Sequence, residues 1–170
     1  LCAADRSFDG PGFERRAMHG LLDLELKERV RHLIAAMASG LPDDFREALP
    51  IVLAAGAAFP VGVPADSLNG FAAWPLIDWV PEYGLDHFEA SLAGLRRLTP
   101  LFSAEFAVRP FLLADPDRAL AVLGGWLADA DHHVRRLVSE GTRPRLPWGV
   151  QLPMFRVDPA PVLVLLAKLR

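Results

Sequence analysis

The chain has 170 residues and a mass of 18.6 kDa, which suits a single domain. Hydrophobic residues make up 52% and charged residues 23%, so a disordered tail, a collagen-like fibre and a low-complexity linker are excluded. The one cysteine, Cys2, excludes a disulfide framework and a thiolate metal cluster. The uncharged stretch from Ala48 to Ala65 is interrupted by five prolines and glycines, so no membrane span is predicted. We expect one cytoplasmic, monomeric domain over residues 1–170.

Charge is divided unevenly along the chain. Residues 1–130 hold 11 Lys and Arg against 18 Asp and Glu, whereas residues 131–170 hold 7 against 3. The second segment therefore has a net charge of +4, and six of its seven cations are arginines. This asymmetry indicates that the carboxyl-terminal segment faces a polyanion, although a segment this short also reaches such a charge by chance.

Helical periodicity dominates the chain, and no run shows the sustained period-two alternation that a half-buried strand requires. An amphipathic helix is predicted from Leu21 to Met37, with Leu22, Leu26 and Leu33 in its buried stripe. A long loop rich in Pro and Gly is predicted from Ala57 to Asn69.

Start signals define the later helices. Asp86 and Glu89 form a capping-box pattern that opens a helix running to about Arg97. The pair Asp115-Pro116 places an N-cap and a proline at the first helical position, and Asp131 opens another helix that Gly141 closes.

Two nine-residue segments, 115–123 and 158–166, begin with Asp-Pro and align without gaps 43 residues apart. A Glu and an Arg-Pro lie upstream of each: Glu105 with Arg109-Pro110, and Glu140 with Arg143-Pro144. Helix pairs repeating every 35–43 residues are typical of HEAT-like and armadillo-like repeats. The predicted fold is therefore an all-α, HEAT-like or armadillo-like superhelical solenoid, whose stacked helices line a concave surface for an extended partner.

The sequence carries no phosphate-binding glycine loop, Walker motif, zinc-ligand spacing or serine-nucleophile elbow. Two adjacent histidines, His132 and His133, would point about 100° apart on a helix, which disfavours joint ligation of one ion. We therefore expect neither a metal nor a cofactor.

Two glutamates are candidates for chemistry. Glu140 is predicted in the last turn of its helix, where the helix dipole disfavours a carboxylate. The alternative is an ordinary surface ion pair with Arg136, one turn earlier. Glu105 is explained more easily as an acid in a first turn after Ser103 that pairs forward with Arg109. Spacing alone leaves these alternatives open.

Cations and a tryptophan follow Glu140. Arg143, Arg145 and Arg156 suit the neutralisation of phosphates, and Trp148 offers an indole for stacking on a base. The alternative for Trp148 is an ordinary core or loop-anchoring residue. The other tryptophans are assigned to the core: Trp74, Trp79 and Trp126.

Four segments resemble the AlkC branch of the HEAT-like DNA alkylation repair glycosylases: LELKERVRH at 24–32, GLDHF at 84–88, FSAEFAVRPFL at 102–112 and VRRLVSEGTRPRLPWG at 134–149. The last is long and specific, and the resemblance covers most of the chain. It implies a stack of helix pairs that grips duplex DNA. The implied activity is hydrolysis of the N-glycosidic bond of cationic alkylated bases, typically N3-methyladenine, without metal or cofactor.

The resemblance also implies roles for individual residues. Glu105 and Glu140 are expected to line the catalytic cleft, and Trp148 is expected to contact the lesion in bent duplex DNA without capping a flipped base. The arginines expected on the DNA backbone are Arg109, Arg135, Arg136, Arg143, Arg145 and Arg156.

The family pattern continues past Arg170 into a helix pair with a further catalytic aspartate. We therefore expect residues 1–170 to be a fragment, trimmed at both ends, with weakened or absent catalysis. The alternative function is a non-catalytic HEAT-like module that binds DNA or another protein.

Overall fold

The computed structural model describes residues 1–59 and 68–169, and every regular element in these ranges is a helix. The described residues confirm the predicted all-α class. In chain order the helices are α1 (Gly10–Met18), a short 3-10 turn (Leu21–Asp23), α2 (Leu26–Ala38), α3 (Phe45–Ala57), α4 (Leu68–Gly84), α5 (Phe88–Leu98), α6 (Arg109–Ala114), α7 (Pro116–Gly125), α8 (His132–Gly141), α9 (Met154–Val157) and α10 (Ala160–Lys168).

Helices that are close in the chain pack against one another. α1 lies on α2, α3 contacts α4 and α5, α6 lies on α7, and α10 contacts α7, α8 and α9. One hydrophobic cluster runs through this stack from Phe8 to Leu165. Each helix pair thus buries its apolar face against the next, as predicted for a helical-repeat solenoid.

Both aligned Asp-Pro segments begin helices, but their registers differ by one residue: Asp115 is the N-cap of α7, whereas Pro159 is the N-cap of α10. The Asp115 carboxylate accepts a hydrogen bond from the backbone N–H of Arg118 at 3.1 Å, and the Asp158 carboxylate accepts one from Ala160 at 3.0 Å. The helices that they open, α7 and α10, pack against each other. The upstream parallel fails, because Arg109-Pro110 begins α6 whereas Arg143-Pro144 lies in the loop after α8.

The helix predicted from Leu21 begins later. Glu25 is the N-cap of α2, and its backbone N–H donates to the carboxylate of Glu28 at 2.9 Å in a capping box. Leu22 is 78% exposed and Leu26 is 40% exposed, so neither belongs to the buried stripe. Local capping by the two glutamates thus determines the start of the helix more strongly than apolar spacing does.

The capping box predicted at Asp86 and Glu89 is absent. His87 is the N-cap of α5, and the carboxylate of Glu89 instead accepts a hydrogen bond from Arg118 of α7 at 2.7 Å. Glu89 therefore forms an ion pair between α5 and α7 and does not cap α5 as the local pattern had predicted.

The loop predicted from Ala57 to Asn69 falls largely outside the described residues. Ala57 is the last residue of α3 and Leu68 is the first of α4, so both ends of the predicted loop are helical. Among the described helices, none combines the length and apolarity needed to cross a membrane.

Three tryptophans lie in the core as predicted, with Trp74 and Trp79 2% exposed and Trp126 6% exposed. The Trp74 ring stacks on Phe102 and Phe106, with centroids 5.4 and 5.7 Å away. This aromatic stack fixes the segment between α5 and α6 against α4.

Candidate nucleic-acid interface

Glu105 lies in the fixed segment between α5 and α6. The hydroxyl of Ser103 donates to its carboxylate at 3.1 Å, and the guanidinium of Arg136 lies 3.8 Å from the same oxygen. The predicted pairing with Arg109 is wrong, because the Arg109 side chain turns away to another set of partners. Glu105 is thereby linked across to α8, and 18% of its side chain is exposed.

Glu140 lies in the last turn of α8, as predicted. Its carboxylate accepts a hydrogen bond from Arg143 at 2.9 Å, and 25% of its side chain is exposed. Arg136 reaches Glu105, so the alternative of an Arg136–Glu140 surface pair is not realised. Residues four apart share a helix face, which brings Glu140 to the same side of α8 as the Arg136–Glu105 pair. We use the term carboxylate surface for these four residues: Glu105, Arg136, Glu140 and Arg143.

The position of Arg109 contradicts the expectation that this residue binds the DNA backbone. Its side chain is fully buried, and its guanidinium donates to the carbonyls of Gly141 at 3.0 Å, Arg143 at 2.8 Å and Val150. A longer bond of 3.5 Å reaches Pro144. Burial lowers the pKa of the guanidinium, and the nearby Glu105 carboxylate opposes this shift. Arg109 therefore holds the loop 142–153 and has no path to a phosphate.

Trp148 projects from the loop 142–153 and is 69% exposed. This exposure excludes the alternative of an ordinary core tryptophan. Its φ of 63° is left-handed, a conformation that costs an L-residue about 1–2 kcal/mol. The next N–H, of Gly149, donates to the carbonyl of Leu146 at 3.0 Å, which closes the turn. Strained backbone at an exposed aromatic residue is typical of a binding site.

The other arginines predicted to bind DNA differ in their solvent exposure and in their hydrogen-bond partners. Arg135 is half-buried, and one nitrogen of its guanidinium donates to the carbonyls of Asp129 and Ala130 at 2.6 and 3.0 Å, just before α8. Arg136 and Arg143 are half-exposed and touch the two glutamates. Arg145 and Arg156 are exposed. Two half-exposed cations thus lie on the carboxylate surface itself, and the exposed Arg145 lies in the loop that carries Trp148.

The two adjacent histidines do not point apart as expected. Their ring centroids are 4.0 Å apart, and with Asp131 their possible ligand atoms all lie within 4.8 Å of one another. The side-chain rotamers bring the two rings together, although their Cα–Cβ bonds point about 100° apart around the helix. The Asp131 carboxylate already caps α8 through the His133 N–H at 2.8 Å, and a helix N-terminus disfavours a cation.

A small cleft of about 90 Å³ lies between α2, α4 and the segment that carries Glu105. The Asp78 carboxylate faces it, accepting a hydrogen bond from the Trp74 indole at 2.7 Å through one oxygen. The other oxygen has no hydrogen-bond partner among the described residues. The lining residues are Lys27, Val30, Arg31, Trp74, Asp78 and Phe106.

Burial raises the pKa of Asp78 to about 6, and the nearby Glu82 carboxylate also raises it. The hydrogen bond from Trp74 and the positive charges of Lys27 and Arg31 act in the opposite direction. Sequence analysis missed this group. The available signal was a lone carboxylate inside the apolar run of α4.

Asp78→Asn is expected to stabilise the protein at neutral pH. The folded state binds the Asp78 proton more tightly than the unfolded state, so the favourable contribution of this group is full below about pH 4 and lost as pH rises through about 6. The substitution should raise the free energy of unfolding by about 1–3 kcal/mol at pH 7 and change it little at pH 4. Urea denaturation at both pH values measures this, with the exposed Asp43→Asn as control. An equal gain at both pH values would contradict the assignment.

Comparison with known proteins places this site in context. No protein-family model matches the chain. The chain is 42% identical over 147 residues to a Bacillus subtilis (strain 168) protein described as uncharacterized protein YhaZ, a match that covers 86% of this chain and 39% of that protein.

The described residues form a helical-repeat protein with a charged surface and an exposed tryptophan. The solved structure of Pseudomonas fluorescens alkylpurine DNA glycosylase AlkC, bound to DNA containing an abasic site analog, matches with a TM-score of 0.87 at 36% identity. The match covers 99% of this chain and 45% of that one. The chain is thus similar to AlkC over nearly its whole length, and it spans less than half the length of these two relatives.

Proposed function

We propose that the chain is part of a DNA glycosylase that hydrolyses the N-glycosidic bond of cationic N3-alkylated bases, such as 3-methyladenine, in duplex DNA. The observation that carries this proposal is the match over 99% of the chain to an alkylpurine DNA glycosylase bound to abasic DNA. The product is an abasic site, an intermediate of base excision repair. The chain acts as a monomer on cytoplasmic DNA and needs no cofactor.

The two glutamates of the carboxylate surface supply the chemistry. Alkylation gives the base a positive charge and makes it a good leaving group, so little protonation of the base is required. Positive charge develops on the sugar as the bond breaks, and fixed carboxylates nearby stabilise that charge. One of Glu105 and Glu140 also orients the attacking water. The carboxylates come from two different helical repeats, so their spacing depends on the packing of α8 against the segment before α6.

The arginines on the carboxylate surface have a second role. Arg136 and Arg143 contact Glu105 and Glu140 in the DNA-free protein. Both are half-exposed and can turn to phosphates, which releases the carboxylates to face the sugar. Arg145 and Arg156 add exposed positive charge beside them, and Arg135 contributes mainly to the local field.

Trp148→Gly is expected to weaken lesion recognition without destabilising the protein. Glycine adopts the left-handed conformation of this position without strain, so the free energy of unfolding should stay equal or rise by up to about 1 kcal/mol. The preference for a duplex with an abasic-site analogue over the undamaged duplex should fall about tenfold, since base–aromatic stacking contributes about 1–3 kcal/mol. Urea denaturation and fluorescence anisotropy measure the two effects. A stability loss like that of a core tryptophan would contradict the role given to Trp148.

The alternative is a non-catalytic HEAT-like module that binds DNA or another protein. The exposed Trp148, Arg145 and Arg156 suit DNA binding without requiring any chemistry. Release of N3-methyladenine from methylated duplex DNA, compared with spontaneous release, separates the two functions. Release above the spontaneous rate supports the glycosylase. Preference for the damaged duplex without release supports the DNA-binding module, and neither release nor preference contradicts both of these functions on DNA.

A further inference from the structure

Lys27 connects the first helices of the chain to the loop that carries Trp148. It lies in the first turn of α2, and 121 residues separate it from its partner along the chain. Its ammonium donates a hydrogen bond to the backbone carbonyl of Trp148. The same ammonium lies 5.3 Å from the ring centroid of Phe106, the neighbour of Glu105.

This contact complements the buried guanidinium of Arg109. Arg109 holds the loop 142–153 from inside, through the carbonyls of Arg143 and Val150 on either side of the tryptophan. Lys27 holds the carbonyl of Trp148 itself, the residue whose backbone is left-handed. An electrostatic contact at the strained residue stabilises a conformation that its own backbone preference disfavours.

The surroundings of Lys27 keep its ammonium in place. The Asp78 carboxylate lines the same cleft and attracts it, and the Phe106 ring provides a cation–π contact. Glu82 adds negative charge on α4, and Arg31 adds positive charge one turn along α2. The ammonium that donates to the Trp148 carbonyl is thus held by groups from two other parts of the fold, α4 and the segment before α6.

We propose that Lys27 is a positioning residue for Trp148, holding its carbonyl so that the indole stays exposed towards the DNA. The importance of this positioning for lesion binding rests on the proposed function, whereas the positioning itself does not. Lys27 connects α2 directly to the loop 142–153, although the two are far apart along the chain.

Fluorine NMR of the protein labelled with fluorotryptophan tests this inference, because each of the four tryptophans gives its own resonance. Loss of the Trp148 resonance in Trp148→Phe assigns it. Lys27→Met should shift that resonance in the DNA-free protein, and Lys27→Arg should restore it near its original position. Arg31→Met removes the same charge from the same helix and should leave it unmoved. The buried Trp79 and Trp126 report whether each variant remains folded.

DNA binding supplies the second measurement. Lys27→Met should lower the preference for an abasic-analogue duplex over undamaged duplex about tenfold, and Lys27→Arg should recover most of it. An unmoved Trp148 resonance in Lys27→Met overturns the positioning role. If the resonance shifts but the unmodified protein neither releases N3-methyladenine nor prefers the damaged duplex, the positioning role stands and the proposed function is overturned instead.

Discussion

Glu140→Gln is expected to lower the rate of N3-methyladenine release by about 100-fold while the affinity for DNA stays equal or increases. Glutamine keeps the size and hydrogen-bonding reach of the side chain, so the contact with Arg143 at 2.9 Å is weakened and not lost. The missing charge removes stabilisation of the cationic sugar, an effect of about 2.7–4 kcal/mol for a single preorganised group. A phosphate approaching the same surface meets less repulsion. Glu105→Gln should have an effect of the same kind.

A remote glutamate controls for general effects of the charge change. Glu89 also contacts an arginine, Arg118, but does so on the exposed face between α5 and α7. Glu89→Gln should leave base release unchanged. Single-turnover release from methylated duplex measures the rate, and anisotropy with an abasic-analogue duplex measures the affinity. If Glu140→Gln and Glu105→Gln release the base as fast as the unmodified chain, the two carboxylates have no catalytic role.

Arg109→Met is expected to reduce the free energy of unfolding by about 3–5 kcal/mol. The substitution keeps an apolar stem but removes the donors that serve the carbonyls of Gly141, Arg143 and Val150. A hydrogen bond to a charged group contributes about 1.5–3 kcal/mol, and the bond to Gly141 is the fully buried one of the three. Glu105 also loses the nearby positive charge. The loop 142–153 should open, and lesion preference should fall with it.

Arg145 in the same loop provides the matched control. Its side chain is exposed, so Arg145→Met should change the free energy of unfolding by less than about 0.5 kcal/mol. Arg109→Lys should lie between the two, because lysine keeps the charge without the planar fork that reaches several carbonyls. Urea denaturation followed by circular dichroism measures all three. Equal stability of the Arg109→Met and Arg145→Met variants would contradict the structural role of Arg109.

The fold class was predictable because its signals are local. Helical periodicity and the Asp-Pro pairs at Asp115 and Asp158 identified helix starts, and Asp115 caps α7 as expected, whereas the N-cap of α10 is Pro159. Predictions failed where two local signals competed or where a distant partner intervened. The capping box of Glu25 and Glu28 starts α2 later than the predicted Leu21. The carboxylate of Glu89 pairs with Arg118 and does not cap α5.

The candidate site was predictable only in part. The pattern singled out Glu105, Glu140 and Trp148 as candidates, and the family resemblance gave them roles that remain proposals. The long-range contacts of the arginines were hidden from the sequence. Arg109 and Arg143 both precede a proline, yet one is fully buried and the other half-exposed. Such differences arise from the packing of one repeat on the next, which neither spacing nor charge encodes.

Lys27 and Asp78 were missed for the same reason. Lys27 belongs to the charged stretch from Glu25 to Arg31, and such a stretch usually lies on the solvent face of an amphipathic helix. Its partner is the backbone carbonyl of a residue far along the chain, and a backbone carbonyl leaves no signal in a sequence.

A crystal structure of this chain with a duplex containing an abasic-site analogue tests the central claim most directly. The account predicts that the Trp148 indole contacts the analogue, that Glu105 and Glu140 face its sugar, and that Arg136 and Arg143 have moved from the carboxylates to phosphates. A duplex bound on another face, with the Trp148 loop left in solvent and both ion pairs intact, would contradict it.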